Sequence, residues 1–431
     1  MKVFTDLHIH SKYARATSQQ MDIEHLAEYG KLKGLNLIGT GDFTHPEWLK
    51  ELRSKLQPIE ESGLYTYDGM NFLLTTEIST VYTQDSKVRK IHHVVHVPSF
   101  EIVDQINNEL TKQGANLGID GRLLLKETNS VEFVDTIVNI FKDILIVPAH
   151  IWTPWFSLFG ARSGFDEIED CYQDQTKHIH ALETGLSSDP PMNWRLSPLD
   201  KFILMSNSDC HSPWPWRLGR ECNVFDLKKL TYWEILDTIK KKDRKRFLFT
   251  VEVNPAYGKY HWTGHRKCDV RLSPKQSLKL NDICPKCRRK MTVGVEERVE
   301  ELADREEGFI PKDAVPFKHL IPLSELIKTV LKIDTLYSKS VWSEYNKLIE
   351  RFDNEFNVLL NVPREELEKV IRKQLVDMIM KNRGGKIKII PGFDGVYGKP
   401  IFDELEFKRY EEKQKNIKIH TQKRLLDFKG P

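Results

Sequence analysis

The 431-residue sequence has no uninterrupted apolar run approaching the ~18–20 residues that a membrane-spanning helix needs. It also lacks a basic-then-apolar leader, because residues 3–10 read as a strand from the outset; the expectation is a cytoplasmic protein with no membrane partner. Cysteine is scarce, six in all, which excludes a disulfide framework in a chain of this length. There is no Gly-x-Ser-x-Gly elbow and no Walker loop, so acyl transfer and P-loop nucleotide hydrolysis are unsupported. Nor is there a large excess of charge: the formal net of +3 does not by itself require a nucleic-acid partner. Basic residues are instead concentrated locally. Lys240-Lys241-Lys242-Asp243-Arg244-Lys245-Arg246 is one patch, and residues 381–431 carry 13 Lys or Arg against 7 Asp or Glu, a net of +6. A solvated face explains such runs as readily as a phosphate-binding one.

What is present is organised around Val3-Phe4-Thr5-Asp6-Leu7-His8-Ile9-His10. Apolar residues alternate with Asp6, His8 and His10, and the period of two sends all three polar groups to one side of a strand. The same grammar recurs along the chain. Residues 35–42 read as a buried strand delivering Asp42, with His45 just beyond; 71–77 ends in Glu77; 91–97 carries His92, His93 and His96. Residues 144–150 end in His150, 180–183 in Glu183, and 202–209 in Asp209 with His211 beyond. Helical patterns intervene at 21–33, 100–113, 130–142 and 231–241. Seven strands, most ending in a metal-type side chain, predict an α/β fold: a β/α barrel with its site at the C-terminal rim. Rim loops 151–162 and 212–217 add Trp152, Trp155, Phe156, Phe159, Trp214, Trp216 and Arg217, suited either to a loop core or to stacking on bases.

Three cysteines lie together. Cys268, followed after fifteen residues by Cys284-Pro285-Lys286-Cys287, and preceded by His265, matches tetrahedral Cys3His zinc; His265 is preferred to His261. Closed four-ligand coordination makes this zinc structural. Beyond it, 323–360 reads as a long amphipathic helix, and a second starts at Pro363 and stops at Gly384-Gly385. The expected division is a metal-binding barrel at 1–250, a zinc module at 251–310, a helical domain at 311–400 and a basic tail at 401–431. Within the tail, Gln422, Leu425 and Phe428 have the Gln-x-x-Leu-x-x-aromatic spacing of a sliding-clamp-binding peptide, with Leu425 and Phe428 on one face of a helical turn.

The order HxH, Asp, Glu, His, His, DxH over residues 1 to about 225 resembles the polymerase and histidinol phosphatase (PHP) family, whose fold is a distorted (β/α)7 barrel holding two or three metal ions. The resemblance implies that His8, His10, Glu77 and Asp209 hold one ion and act in catalysis. It implies that Glu77, His150 and one of His92 or His93 hold a second, with His92 preferred, and that His211 with Asp42 or His45 holds a third. The chain departs from the family pattern at Asp42-Phe43, where Asp-His is usual. The donors suit Zn, Mn or Fe, and a shared carboxylate sets two cations about 3.5–4 Å apart, the spacing that clamps an in-line displacement at phosphorus. A small-molecule phosphatase and a non-catalytic DNA-binding module are the competing expectations.

The phrases Gly258-Lys259-Tyr260-His261, Gly264-His265-Arg266-Lys267-Cys268, Glu183-Thr184-Gly185-Leu186-Ser187-Ser188-Asp189 and Pro391-Gly392-Phe393-Asp394-Gly395-Val396-Tyr397-Gly398 narrow the likeness. Together they resemble the endonuclease Q family over nearly the whole chain. That resemblance implies a DNA repair endonuclease nicking 5′ of uracil, hypoxanthine, xanthine and abasic sites. The partner it implies is lesion-bearing duplex or single-stranded DNA; a sliding clamp reached through the tail is expected from the spacing of Gln422, Leu425 and Phe428, and the protein is expected to be a monomer. Its cofactors would be two or three active-site ions, zinc with manganese or magnesium in use, plus one structural zinc.

Overall fold

His8 and His10 leave the end of a strand, Lys2–Asp6, in which Val3 to Asp6 are buried. A computed structural model describes residues 1–412; Gln422, Leu425 and Phe428 lie outside the described residues. The architecture is mixed α/β with a central eleven-stranded sheet. Lys2–Asp6 runs parallel to Leu37–Gly39, with Thr5 opposite Leu37, and Leu37–Gly39 runs parallel to Met70–Gln84. These strands are buried along most of their length, with Val3, Leu37, Ile38, Phe72, Leu73 and Leu74 in the core.

The regular strand–helix alternation breaks at the next step. Residues 71–77 do not end at Glu77; the strand runs from Met70 to Gln84 and turns back as Lys87–Val97 in an antiparallel hairpin. The reason is local. Thr80-Val81-Tyr82-Thr83 continues the β-branched and aromatic run, and Asp85 and Ser86 take φ of 52° and 59°, as the two central residues of a type I′ turn must. His92 therefore sits in mid-strand, not at a strand end. Lys87–Val97 then pairs antiparallel with Leu145–Pro148, and Ala181–Glu183 pairs parallel with Ile203–Met205.

The chain after Met205 returns to the first strand. Ile9 forms a parallel bridge with Cys210, the Asp209 N–H donates to the His8 carbonyl, and that of His10 to the Cys210 carbonyl. Side chains complete this edge. Asn207 Oδ1 accepts from the Leu7 N–H at 2.9 Å, and Asp6 accepts from Ser208 at 3.0 Å and Gly219 at 2.8 Å. Asp6 thus spends its carboxylate on backbone, apart from the two histidines that follow it.

Phe317–His319, beyond the expected boundary at 310, pairs with Phe247–Glu252 and so belongs to the central sheet. The expected helix 323–360 is three helices: Leu323–Leu331, Lys339–Phe352 and Glu355–Leu360. Lys332 and Asp353 break it with φ of 55° and 70°, and Ser338 and Asn354 restart it as N-caps. The second expected helix is likewise split, into Arg364–Glu368 and Lys373–Arg383, and Pro363 is its N-cap. These helices share a core of their own that includes Leu326, Tyr345, Leu348, Val358 and Val376.

One buried ion pair joins this core to the rest. Lys33 Nζ, at the end of helix Ile23–Lys33, lies 2.8 Å from Glu355 Oε1 and 2.8 Å from the Pro215 carbonyl. Tyr345 donates to the other Glu355 oxygen at 3.0 Å, and Phe356 stacks on Phe4 with ring centroids 4.7 Å apart. The Lys33 and Glu355 side chains are 2% and 0% exposed. Lys33→Ala is expected to lower unfolding free energy by about 3–5 kcal/mol in denaturant titration, because it strands a buried carboxylate. Lys33→Met combined with Glu355→Leu should recover most of that loss; a single variant as stable as the parent would show the pair to be dispensable.

Candidate metal centre

At the end of the first strand His8 and His10 point inward with Asp209, and their ligand atoms lie within 4.8 Å of one another. His10 Nε2 is 3.0 Å from Asp209 Oδ1 and 3.5 Å from Glu77 Oε2. His8 Nε2 stands 3.6 Å from Glu77 Oε1 and 3.8 Å from Asp209 Oδ1. A second group adjoins it: His92 Nδ1 is 2.5 Å and His150 Nε2 3.1 Å from Glu77 Oε1. Glu77 lies between the groups and reaches both. Asp209 and His150 hold φ of 45° and 30°, a left-handed conformation uncommon outside glycine that is characteristic of side chains aimed from a strand end into a site.

The remaining ring nitrogens are oriented from behind. His8 Nδ1 lies 3.0 Å from both oxygens of Glu183, which also accepts from Asn207 Nδ2 and from the His150 N–H, each at 2.8 Å. His10 Nδ1 donates to Asp42 Oδ1 at 3.1 Å, while Asp42 Oδ2 accepts from the Ser11 N–H and hydroxyl at 2.6 and 2.7 Å. Such carboxylate–imidazole pairs fix the tautomer and leave Nε2 free for a cation. Glu183 was visible in sequence as a strand-end acid, without this role.

Asp42 and His45, expected at a third ion, enter neither group. Asp42 is occupied by His10 and Ser11. His45 stacks on Tyr13 with centroids 4.6 Å apart, and its Nδ1 has no hydrogen-bond partner. His211 is at the margin, its Nδ1 3.0 Å from the Asp209 carbonyl and 3.9 Å from Oδ1. Of the adjacent histidines, His92 faces Glu77 and His93 faces away, its ring 4.7 Å from that of Phe133 and its Nδ1 on the Ile78 carbonyl. Burial pushes His93 down to about 3, keeping it neutral.

The electrostatics call for positive charge in the gap. Burial by itself lowers His8, but Glu183, then Asp209 and Glu77, overcome it and raise the group to about 9. Burial opposes ionisation of Glu77 as well, yet His92, His150 and His8 hold it well below the usual carboxylate range. The carboxylates favour cations on their partners, and a divalent ion meets that demand with the imidazoles neutral. The donors fit one: imidazole nitrogens and carboxylate oxygens suit Zn, Mn or Fe, and buried His8 Nε2, aimed into the gap, has no hydrogen-bond partner.

Beside these groups opens a cavity of about 520 Å³ with His150, Asp209 and His211 on its wall. Arg217, Arg220 and Lys259 line it with Tyr257, Tyr260 and Tyr397, and Glu325 enters from the helical core. Arg220 is held by the Ser208 carbonyl at 2.9 Å, and Tyr257 donates to Glu325 Oε2 at 2.6 Å. The aromatic loop is divided in role: Trp152 and Phe159 are buried, Trp155 is exposed, and Phe156 packs over His92 with centroids 4.7 Å apart. Trp214 and Trp216 stack on each other at 5.4 Å, and Trp342 of the helical core lies against both.

A separate group unites His265, Cys268, Cys284 and Cys287, with His265 Nδ1 3.2 Å from Cys287 Sγ. His261 is turned elsewhere, 3.4 Å from Glu296. The hairpin Thr263–His265/Val270–Leu272 and the Cys284 turn carry only a small core of Val270, Leu272, Cys284 and Met291. So small a core supplies little stability of its own, and a bound ion would add to it. Cys284→Ser should therefore lower the metal content by one ion per chain and make 260–295 protease-sensitive; an unchanged ion count with the parent's digestion pattern would exclude a metal there.

The family model described as MJ0043 C-terminal domain matches residues 322–386. The chain is 36% identical over 263 residues to the uncharacterized protein MJ0043 of Methanocaldococcus jannaschii, a match spanning 61% of this chain and 32% of that protein. It is 28% identical over 419 residues to the uncharacterized protein YqxK of Bacillus subtilis, spanning 92% and 99%. The crystal structure of the lesion-specific endonuclease PfuEndoQ from Pyrococcus furiosus superposes with a TM-score of 0.84 at 35% identity, covering 94% of this chain and 96% of that one. An Endonuclease Q complex with a 27-mer duplex substrate bearing an abasic lesion at the active site gives 0.83, also at 35% identity, covering 94% and 97%. With this agreement over almost the full length of both chains, the protein belongs to the endonuclease Q family and is a hydrolase of the DNA-repair nuclease class.

Proposed function

We propose that this protein is a metal-dependent endonuclease that nicks DNA 5′ of uracil, hypoxanthine and xanthine and of abasic sites. The observation that carries the reading is that both ligand groups, through His150 and Asp209, border one cavity walled by cationic and aromatic side chains. Its volume suits a single nucleotide taken out of the stack. The similarity to a protein solved with an abasic duplex supports the same substrate class here.

In this reading His8, His10, Glu77 and Asp209 hold one ion and Glu77, His92 and His150 a second, with His211 available to a third. Zinc is the expected ion there, with manganese or magnesium as functional substitutes, and zinc again in the His265/Cys268/Cys284/Cys287 module. Bound divalent ions supply Lewis acidity toward a phosphodiester and an acidified water as nucleophile. Glu183 and Asp42 keep the His8 and His10 Nε2 atoms aimed inward. Arg217, Arg220 and Lys259 are positioned to take phosphate oxygens, and Tyr257, Tyr260 and Tyr397 to exclude water from the extruded nucleotide.

The same reading takes residues 1–250 as a distorted (β/α)7 barrel, supported by the Ile9–Cys210 bridge that returns the last strand to the first. It takes 251–310 as the zinc module, 311–400 as the helical domain apart from the sheet strand Phe317–His319, and 401–431 as the tail. It also takes the protein as monomeric and cytoplasmic; Cys171, Cys210 and Cys222, buried and free, suit a reducing compartment. Gln422, Leu425 and Phe428 are proposed as a sliding-clamp peptide on their spacing.

The test is nicking of labelled duplexes carrying one uracil, hypoxanthine or abasic site, with Mn or Zn, beside an undamaged duplex. Asp209→Ala and Glu77→Ala should abolish cleavage while DNA binding persists. Glu183→Gln should cost about 10–100-fold in rate through loss of the His8 orienter. Full activity in either ligand variant, or equal cleavage of undamaged DNA, would refute the reading. For the tail, Leu425→Ala/Phe428→Ala should lose clamp-stimulated nicking; equal stimulation of both proteins retires that element.

A further inference from the structure

The segment 391–398 touches two places that the sequence keeps apart. On one side its backbone is laced to the wall of the cavity: the Gly392 N–H donates to the Ala256 carbonyl, Gly398 to Tyr257 and Gly395 to Lys259, each at 2.9 Å. The approach is close enough to exclude side chains. A Cβ on Gly392 would fall 2.2 Å from the Gly258 oxygen, and one on Gly398 2.0 Å from the Ala256 oxygen. On the other side the Asp394 carboxylate grips the cysteine module. One oxygen accepts from the Arg266 N–H at 2.6 Å, directly after the ligand His265, and the other from the Thr292 hydroxyl at 2.7 Å. Thr292 in turn exchanges both backbone hydrogen bonds with Gly264 at 3.0 Å. The Arg271 guanidinium, from the same hairpin, caps the Phe393 ring at 4.4 Å.

What lies at the cavity end of this bridge is chemically specific. Lys259 Nζ sits 5.6 Å from the Tyr260 ring and 5.9 Å from the Tyr397 ring, so a cation is held between two aromatics, one of them on the bridging segment itself. Lys and Tyr side chains have enough rotameric freedom that such a group is useful only if its backbone is fixed. The cavity-wall residues 256–260 supply little of that rigidity themselves: they form a short 3-10 turn, Pro255–Tyr257, and loop.

We propose that Asp394 is a positioning residue that transmits the order of the metal-held hairpin to the Lys259–Tyr260–Tyr397 wall, and so sets affinity for the nucleotide in the cavity. This rests on the proposed nuclease reading. Asp394 does not line the cavity and belongs to none of the ligand groups. Its loss therefore weakens ground-state binding and leaves the chemical step alone. The isosteric Asn keeps one acceptor oxygen and retains part of the link.

The experiment compares wild type, Asp394→Ala and Asp394→Asn for metal content, for anisotropy-monitored binding to a duplex with one abasic site, and for steady-state nicking of it. For Asp394→Ala the expected result is unchanged metal content, KM and Kd raised about tenfold and kcat within about twofold, with Asp394→Asn intermediate. The same substitution is then made in a Lys259→Ala background, where its effect should shrink to about twofold or less because the residue it acts through is gone. Loss of metal in both Asp394 variants, a fall in kcat at constant KM, or an undiminished effect in the Lys259→Ala background would each overturn the proposal. A wild type that nicks no lesion duplex would instead remove the nuclease reading on which it rests.

Discussion

A carboxylate taken out of water has to be paired, and the site at the strand ends is built under that constraint. Glu77, Glu183 and Asp42 belong to the interior, where an unpaired charge costs several kcal/mol, and Asp209 stands at its edge, partly open to the cavity. Each is answered by imidazole or backbone N–H. Asp42 and Glu183 are fully satisfied by protein, since Ser11 and His10 fill one and Asn207, His150 and His8 fill the other. Glu77 and Asp209 are answered by imidazoles whose own positive charge is costly to bury, and this is the pair that a metal ion relieves. The division between orienting acids and ligating acids follows from which carboxylates have backbone donors within reach.

That constraint explains why the helical core docks as it does. The cavity needs walls, and one comes from Glu325 on helix Leu323–Leu331, which orders Tyr257 through a short hydrogen bond. A cavity shared between two cores keeps its shape only if they do not slide. The Lys33–Glu355 pair supplies a directional tie at that contact, and the Lys33 bond to the Pro215 carbonyl holds the Trp214–Trp216 loop in the same place. Apolar contact such as Phe4 against Phe356 stabilises the junction but gives it no register. The buried charge does, because its partners accept only one geometry.

Much of the candidate ligand grouping was legible because most of its side chains lie at strand ends, where a residue's neighbours in sequence are also its neighbours in space. His8, His10, His150 and Asp209 each close or follow an apolar run, Glu77 lies within a longer strand, and the alternation of strand faces allowed only one of His92 and His93 to point inward. The Cys-x2-Cys module was legible for the same reason. The hairpin of Met70–Gln84 with Lys87–Val97 was missed, although Asp85-Ser86 between two β-branched runs is a turn signal, because the run was closed at Glu77 as a strand-end acid. Asp42 was assigned to a cation because proximity to a site does not distinguish ligand from orienter; that depends on Ser11, whose backbone and hydroxyl already occupy it. Of the cavity wall only the rim loop with Trp216 and Arg217 was legible, since Lys259, Glu325 and Tyr397 join it across separations that no periodicity records.

The two kinds of metal group in one chain also have to stay distinct, and their donors keep them so. The hairpin offers three thiolates and one imidazole in a closed set, a soft environment that selects zinc and leaves no position for water. The strand-end groups offer only imidazole and carboxylate, and Asp209 and His150 border the open cavity, so incoming oxygen ligands have a route to any ion held there. Hard and borderline ions such as Mn exchange readily at the second kind of site and compete poorly at the first. Loss of an ion from the imidazole–carboxylate groups would therefore leave the donor set of the hairpin untouched.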